Sequence, residues 1–215
     1  MIALITGTSN GIGNSIVKKL LAKNQEVIGI DKKINKTFKN KNFYSNKLNI
    51  LDAKSVFKFL KKLKKKKKIN CPITIKISPD IEENEISNIN ELISKFKVDG
   101  IILTNTTNQH REHLSDNKKT EAGGLSGLPL QKLSLKLIKN FYKSNKGKIP
   151  IIGVGGIDSG QSAFEKILAG ATAVQLYTGM VYKGPGIVRD IKKELIKILK
   201  KEKIKNIQQA VGTNS

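Results

Sequence analysis

Apolar residues in this chain fall into short continuous runs that alternate with stretches of helical spacing. Residues 149–178, IPIIGVGGIDSGQSAFEKILAGATAVQLYT, show the pattern most clearly. Residues 150–154 are apolar on every face, Gly155 and Gly156 follow, 159–168 have helical spacing, and 173–177 form a second apolar run. Continuous hydrophobics predict a parallel strand whose sheet is covered by helices on both faces. Glycines at the end of such a strand let backbone amides approach an anion, with a helix N-terminus behind them. A barrel of alternating strands and helices holds phosphate in this way after its late strands.

The same alternation runs through much of the chain. Residues 1–6 predict a strand, 12–23 an amphipathic helix, and 26–30 a second strand closed by Asp31. Residues 53–64 predict a helix that runs into the lysine run 61–68. Beyond it, 72–77 and 100–103 predict strands, with a helix over 81–96 opened by Asp80, Glu82 and Glu83. Acidic side chains at that point favour the positive end of a helix. A polar loop, 110–121, precedes a helix over 133–142, and a closing helix spans 186–201, with a loose tail past Gln208. Strands alternating with helices make this an α/β protein with parallel sheets. Four βα units follow the lysine run, half the number in a (β/α)8 TIM barrel.

Charge changes the picture less than its size suggests. The formal net charge is +23, but of 40 basic residues only Arg111 and Arg189 are arginine. Arginine is the usual reader of bases and phosphates, since its planar fork bonds bidentately. A lysine surplus beside many Ile and Asn residues fits compositional drift and a solvated surface. Salt-sensitive polyanion binding follows from such a charge without specific nucleic-acid recognition. The single cysteine, Cys71, excludes a disulfide framework and fits a reducing compartment. No apolar run approaches a membrane span, and residues 1–5 are too short for a signal peptide, so the expected location is the cytoplasm. His110 and His113, in HREH, lack the spacing and acidic company of a zinc site, and no metal is expected.

The first βαβ carries a glycine turn, Thr6-Gly7-Thr8-Ser9-Asn10-Gly11-Ile12-Gly13, with an acid about twenty residues on. Gly7 allows a tight turn, Gly11 and Gly13 allow close approach to a pyrophosphate, and Asp31 suits ribose hydroxyls, favouring NAD over NADP. The TGxxxGIG spacing resembles the short-chain dehydrogenase/reductase family, as does Asn49-Ile50-Leu51-Asp52-Ala53-Lys54-Ser55-Val56, although Asn49 replaces that family's usual Asp. The resemblance covers residues 1–65, a Rossmann-like βαβ fragment. Tyr142 and Lys146 have the spacing of that family's catalytic Tyr-x-x-x-Lys, but they end a helix before Gly147 with no partner serine upstream. That match is attributed to chance. The lysine run then reads as a junction, with residues 66–215 following a different pattern.

Five motifs define that second pattern: Lys76-Ile77-Ser78-Pro79-Asp80, Thr104-Asn105-Thr106-Thr107, Gly123-Gly124-Leu125-Ser126-Gly127-Leu128-Pro129-Leu130, Gly153-Val154-Gly155-Gly156-Ile157 and Gln175-Leu176-Tyr177-Thr178-Gly179. In this order they resemble the C-terminal half of the dihydroorotate dehydrogenase family, quinone-linked class. The resemblance implies an FMN-binding barrel that oxidises dihydroorotate to orotate in pyrimidine biosynthesis, with quinone as acceptor.

On that resemblance Lys76 lies against the isoalloxazine ring, where a cation stabilises charge developing near N1. Its place within an apolar strand run also suggests a functional lysine, because an unpaired buried charge is costly. Thr104 is expected to contact FMN, and Asn105 and Thr106 the orotate ring or carboxylate; an amide and hydroxyls suit a ligand rich in carbonyl and NH groups. Gly127, Gly156, Tyr177 and Thr178 match the remaining flavin contacts, with aromatic packing and plain turn geometry as the structural alternatives for Tyr177 and the glycines.

The family's serine base lies in an Asn-x-Ser-Ser-Pro-Asn segment, which these 215 residues do not contain. The earlier barrel strands and the membrane-associating helices likewise have no counterpart. The expectation is therefore an inactive fusion, with self-association through exposed half-barrel edges. An NAD(P)-dependent short-chain dehydrogenase and a basic nucleic-acid-binding protein are the alternatives.

Overall fold

The computed structural model describes every residue except 1, 7, 10, 50–54, 57, 60, 63–71, 110 and 113. Gly7, Cys71, His110, His113 and most of the lysine run therefore lie outside the described residues. The chain divides into two compact units, Met1–Asn70 and Cys71–Ser215.

The first unit is a parallel three-stranded sheet in the order β1 (Ile2–Thr6), β2 (Glu26–Asp31), β3 (Phe43–Lys47). Ile2 pairs with Glu26 and Val27 with Phe43. Helix α1 (Gly11–Ala22) connects the first two strands, and its apolar stripe packs Val17 and Leu21 onto Val27. Phe38 and Phe43 meet edge to face, with centroids 5.1 Å apart. Strand β3 was not placed by periodicity: FYSNK carries only two aromatics and no β-branched run, so tertiary pairing decides its conformation. The described residues of the helix expected over 53–64 (55, 56, 58, 59, 61 and 62) are helical.

The second unit holds a parallel sheet in the sequential order β4 (Thr74–Ile77), β5 (Gly100–Leu103), β6 (Ile151–Val154), β7 (Ala173–Gln175). Helices α2 (Glu85–Phe96), α3 (Gln131–Asn145) and α4 (Gly160–Leu168) fill the crossovers. They are followed by the short α5 (Thr178–Lys183) and the closing α6 (Ile187–Lys201). Sequential parallel order with a helix in each crossover is the topology of a partial TIM barrel. The core sits between the sheet and its helices, where Ile101, Leu103 and Ile151 meet Ile86, Ile93, Leu137, Ile138 and Phe141.

Three expectations are corrected. Helix α2 begins at Glu85 rather than residue 81, because Asp80 is used elsewhere. Burial of both strand faces holds poorly for the sheet's edge strands: Thr74 and Lys76 of β4, and Ala173 and Gln175 of β7, are exposed. A closed barrel would cover such alternate positions, and four strands leave them open. The tail past Gln208 is not loose. Ala210 is fully buried against Phe164 and Ile167, Gly212 N donates to Ile167 O at 3.1 Å, and Asn214 N donates to Leu168 O at 2.9 Å.

Candidate functional site

The C-terminal ends of all four strands of the second unit open onto one cleft of about 850 Å³. That volume falls within the usual range for a cofactor or small-ligand site. Lys76 enters from β4, Thr104, Asn105 and Thr106 from the end of β5, Gly155 and Gly156 from the end of β6, and Tyr177 and Thr178 from the turn after β7. Gly127 closes the cleft from the long β5–α3 connection. The eight residues singled out by the second set of motifs are thus brought together from positions 76 to 178.

Each wall is fixed by its own contacts. The Asp80 carboxylate accepts from the Thr107 hydroxyl and, at 3.0 Å, from Asn108 N, so the KISPD segment ties down the loop that carries Thr104–Thr106. Thr107 also exchanges backbone bonds with Leu125 at 3.1 and 2.7 Å, bringing the 123–127 loop alongside. Arg111 holds that connection from outside, donating to the carbonyls of Lys119, Glu121 and Gly123. Across the cleft, the Ser126 and Thr178 hydroxyls are bonded at 2.9 Å, and a Cβ on Gly127 (φ +82°) would stand 3.0 Å from the Thr178 methyl.

The turn after β6 is the tightest part. Gly156 has φ +68°, and a Cβ there would lie 2.8 Å from the Cα of Gln131, so glycine is required on both conformational and steric grounds. Behind the turn, Ser159 caps α4 by accepting from Ser162 N, in a capping box. On its other side Lys183 of α5 donates to Asp158 at 2.9 Å (carbonyl) and 3.0 Å (carboxylate). The Lys183 bond holds the Asp158 carboxyl below its usual range.

Lys76 is exposed within the cleft rather than buried, so the desolvation cost anticipated for a mid-strand lysine does not arise. Among the described residues it makes no ion pair. Thr104 is buried, whereas Asn105 and Thr106 are exposed into the cleft. Tyr177 is 78% exposed, which excludes core packing as its purpose here. Tyr142 does pack: Gly170 and Gly212 leave no room for a Cβ against its ring, and its hydroxyl reaches Val211 O at 3.4 Å. Asp80, Arg111 and Ser126 were not recognised as site builders, since their partners are distant in sequence.

The residues of the other motif lie in the first unit. Gly11 begins α1 and Gly13 follows within its first turn, while Gly7 is outside the described residues. Asp31 ends β2, and its carboxylate accepts from Ser9 N at 2.9 Å and Lys32 N at 2.7 Å. The Ser9 bond holds its carboxyl below the usual range. Asp31 thus closes the glycine turn onto the strand end.

A parallel α/β half-barrel with glycine turns and a lysine at its strand ends defines the class: a barrel unit with a cofactor-sized cleft in the usual place for a barrel's active site. Comparison with known proteins is more specific. The sequence profile described as dihydroorotate dehydrogenase matches residues 17–199, and the chain belongs to that family. It is 44% identical over 144 residues to the mitochondrial dihydroorotate dehydrogenase (quinone) of Arabidopsis thaliana, covering 66% of this chain and 31% of that protein. It is 50% identical over 124 residues to the dihydroorotate dehydrogenase (quinone) of Buchnera aphidicola, covering 58% and 37%. A crystal structure of the Eimeria tenella enzyme with ferulenol matches with a TM-score of 0.65 at 42% identity, over 66% of this chain and 38% of that one. The chain spans less than half the length of these relatives. No helix among the described residues is long and apolar enough to cross a membrane.

Proposed function

We propose that the second unit is the flavin- and orotate-binding half of a quinone-linked dihydroorotate dehydrogenase. The observation that carries this reading is the single cleft that gathers Lys76, Thr104, Asn105, Thr106, Gly127, Gly156, Tyr177 and Thr178. The residues present fit FMN: the Gly155-Gly156 turn offers a side-chain-free edge for a phosphate, and Lys76 offers a cation that makes no ion pair among the described residues.

FMN, when bound, supplies the acceptor for a hydride. The chain's own part is to place and stabilise. Lys76 would supply a cation to stabilise negative charge on a bound flavin, and Thr104, buried at the strand end, would help to orient it. Asn105 and Thr106 offer an amide and a hydroxyl to the carbonyl, NH and carboxylate groups of an orotate-type ligand. The backbone around Gly156 and Thr178 would hold the phosphate end. With no Asn-x-Ser-Ser-Pro-Asn segment in the sequence, no group is assigned to the proton abstraction that dihydroorotate oxidation requires. Residues 66–215 on this reading bind the cofactor and the product.

For residues 1–65 we propose an origin in a short-chain dehydrogenase/reductase, supported by the TGxxxGIG spacing and the turn closed by Asp31. Asp31 is already bonded to Ser9 N of the turn and to Lys32 N, so NAD binding there ranks behind flavin binding in the cleft. Titration of the purified chain with FMN and, separately, NADH tests both readings. Saturable FMN fluorescence quenching supports the first, and NADH binding without flavin binding would displace it.

A further inference from the structure

Lysines of this chain are numerous, and among the described residues all but one are at least partly exposed. Lys166, in the last turn of α4, is fully buried, and among the described residues it is the only buried charged side chain. Its Nζ donates to the carbonyl of Gln131 at 3.1 Å. Burial pushes the ammonium down to about 8, against the charged Glu165 that favours its ionised form, leaving it mostly protonated at neutral pH. Lysine is almost never fully buried unless paired, and a well-packed apolar side chain in such a place is commonly neutral or better for stability. Compositional drift explains exposed lysines and does not explain this one.

Its location suggests a use. Gln131 is the first residue of α3 and forms the floor under Gly156, whose hypothetical Cβ would stand 2.8 Å from the Gln131 Cα and 3.0 Å from its N. The Gln131 side chain reaches Glu165 at 3.4 Å, so α4 grips this residue through two consecutive side chains. Lys166 also flanks β6, since a Cβ on Gly153 would be 3.4 Å from the Lys166 Cβ. Beside it, Ser134 of α3 donates to Val154 O. The glycine turn is therefore seated on a floor that Lys166 pins from behind.

We propose that Lys166 is a positioning residue for the Gly155-Gly156 turn, its buried ammonium fixing Gln131 so that the turn's amides meet a phosphomonoester at the cleft. The inference rests on the flavin reading of that cleft and adds to it the element that sets its preference for a phosphorylated flavin. Lys166 does not line the cleft and is assigned no contact with the ligand.

The test compares FMN with riboflavin, which lacks only the phosphate, by fluorescence quenching of the full chain. The wild type binds FMN more tightly than riboflavin. In Lys166→Met, which fills most of the side chain's volume without the charge or the donor, the FMN affinity falls at least tenfold while riboflavin affinity changes less than twofold. Lys166→Gln, too short to reach Gln131, shows the same selective loss, and Lys166→Arg recovers part of the preference. A purely structural lysine would lower both affinities together or leave both unchanged. Wild-type preference in folded Met and Gln variants overturns the proposal, and so does failure of both variants to fold. A wild type that binds neither flavin overturns the flavin reading and this inference with it. A wild type that prefers FMN, with variants that do the same, overturns the inference alone.

Discussion

Replacing Lys166 with methionine should stabilise the second unit at neutral pH, and the gain should shrink as pH rises. The ammonium is pushed from 10.5 to about 8 by burial. Below pH 8 the lysine is charged in both folded and unfolded chains, so the folded state bears the whole cost of holding that charge. Between about 8 and 10.5 the unfolded chain binds more protons than the folded one, and stability therefore increases with pH through that window. A shift of this size corresponds to about 3 kcal/mol in all, of which about 2 kcal/mol is recovered between pH 7 and pH 9.5. Methionine has no such dependence, and lysine's bond to Gln131 offsets about 1 kcal/mol of its cost. Urea unfolding of both proteins at pH 7, 8, 9 and 9.5 isolates the effect, because every other titrating group cancels in the difference. The expected result is a methionine variant more stable by about 2 kcal/mol at pH 7, with an advantage that vanishes near pH 9.5. A stability difference that does not move with pH would refute the burial of a charged Lys166.

Gly156→Ala should cost about 1–3 kcal/mol, from the positive φ and the collision with Gln131, and should lower FMN affinity more than tenfold in a quenching titration. Deleting residues 209–215 should lower the thermal midpoint by several degrees, measured by circular dichroism, because it uncovers Phe164 and Ile167 and breaks the bonds to Ile167 and Leu168; an unchanged midpoint would show the tail to be dispensable. Strands β4 and β7 are the edges of the second sheet, so sedimentation at rising concentration should reveal self-association, and a strictly monomeric chain would count against open edges.

Much of the second unit was legible because its signals are local. The run at 100–103 is bounded by Gly100 and by a polar loop, and β5 has those bounds. Capping at Ser159 and the glycines after β6 likewise mark their own positions. What escaped depends on partners far away in sequence. Asp80 reads as a helix-opening acid, yet it serves Thr107 and Asn108, and the helix starts later. Helix α5 is hidden by its short length and by Tyr177, which reads as the end of a strand and is the helix N-cap. The tail looks polar, and only the grooves beside Phe164 and Ile167 reveal that Ala210 is a core residue. Lys166 was invisible for a different reason: in a chain with 40 basic residues a lysine carries no signal until its burial is known. Within the site, the motifs located the cleft residues, while Arg111 and Ser126 needed the folded loop to show what they hold.

The central claim is that the cleft of the second unit is a flavin site, and flavin binding by the purified full chain tests it most directly. FMN added at fixed concentration to increasing protein should lose its fluorescence in a saturable, one-to-one titration, and Lys76→Ala and Gly156→Ala should each weaken it. Fluorescence that stays unchanged up to high protein concentration, with the chain folded by circular dichroism, would contradict the account.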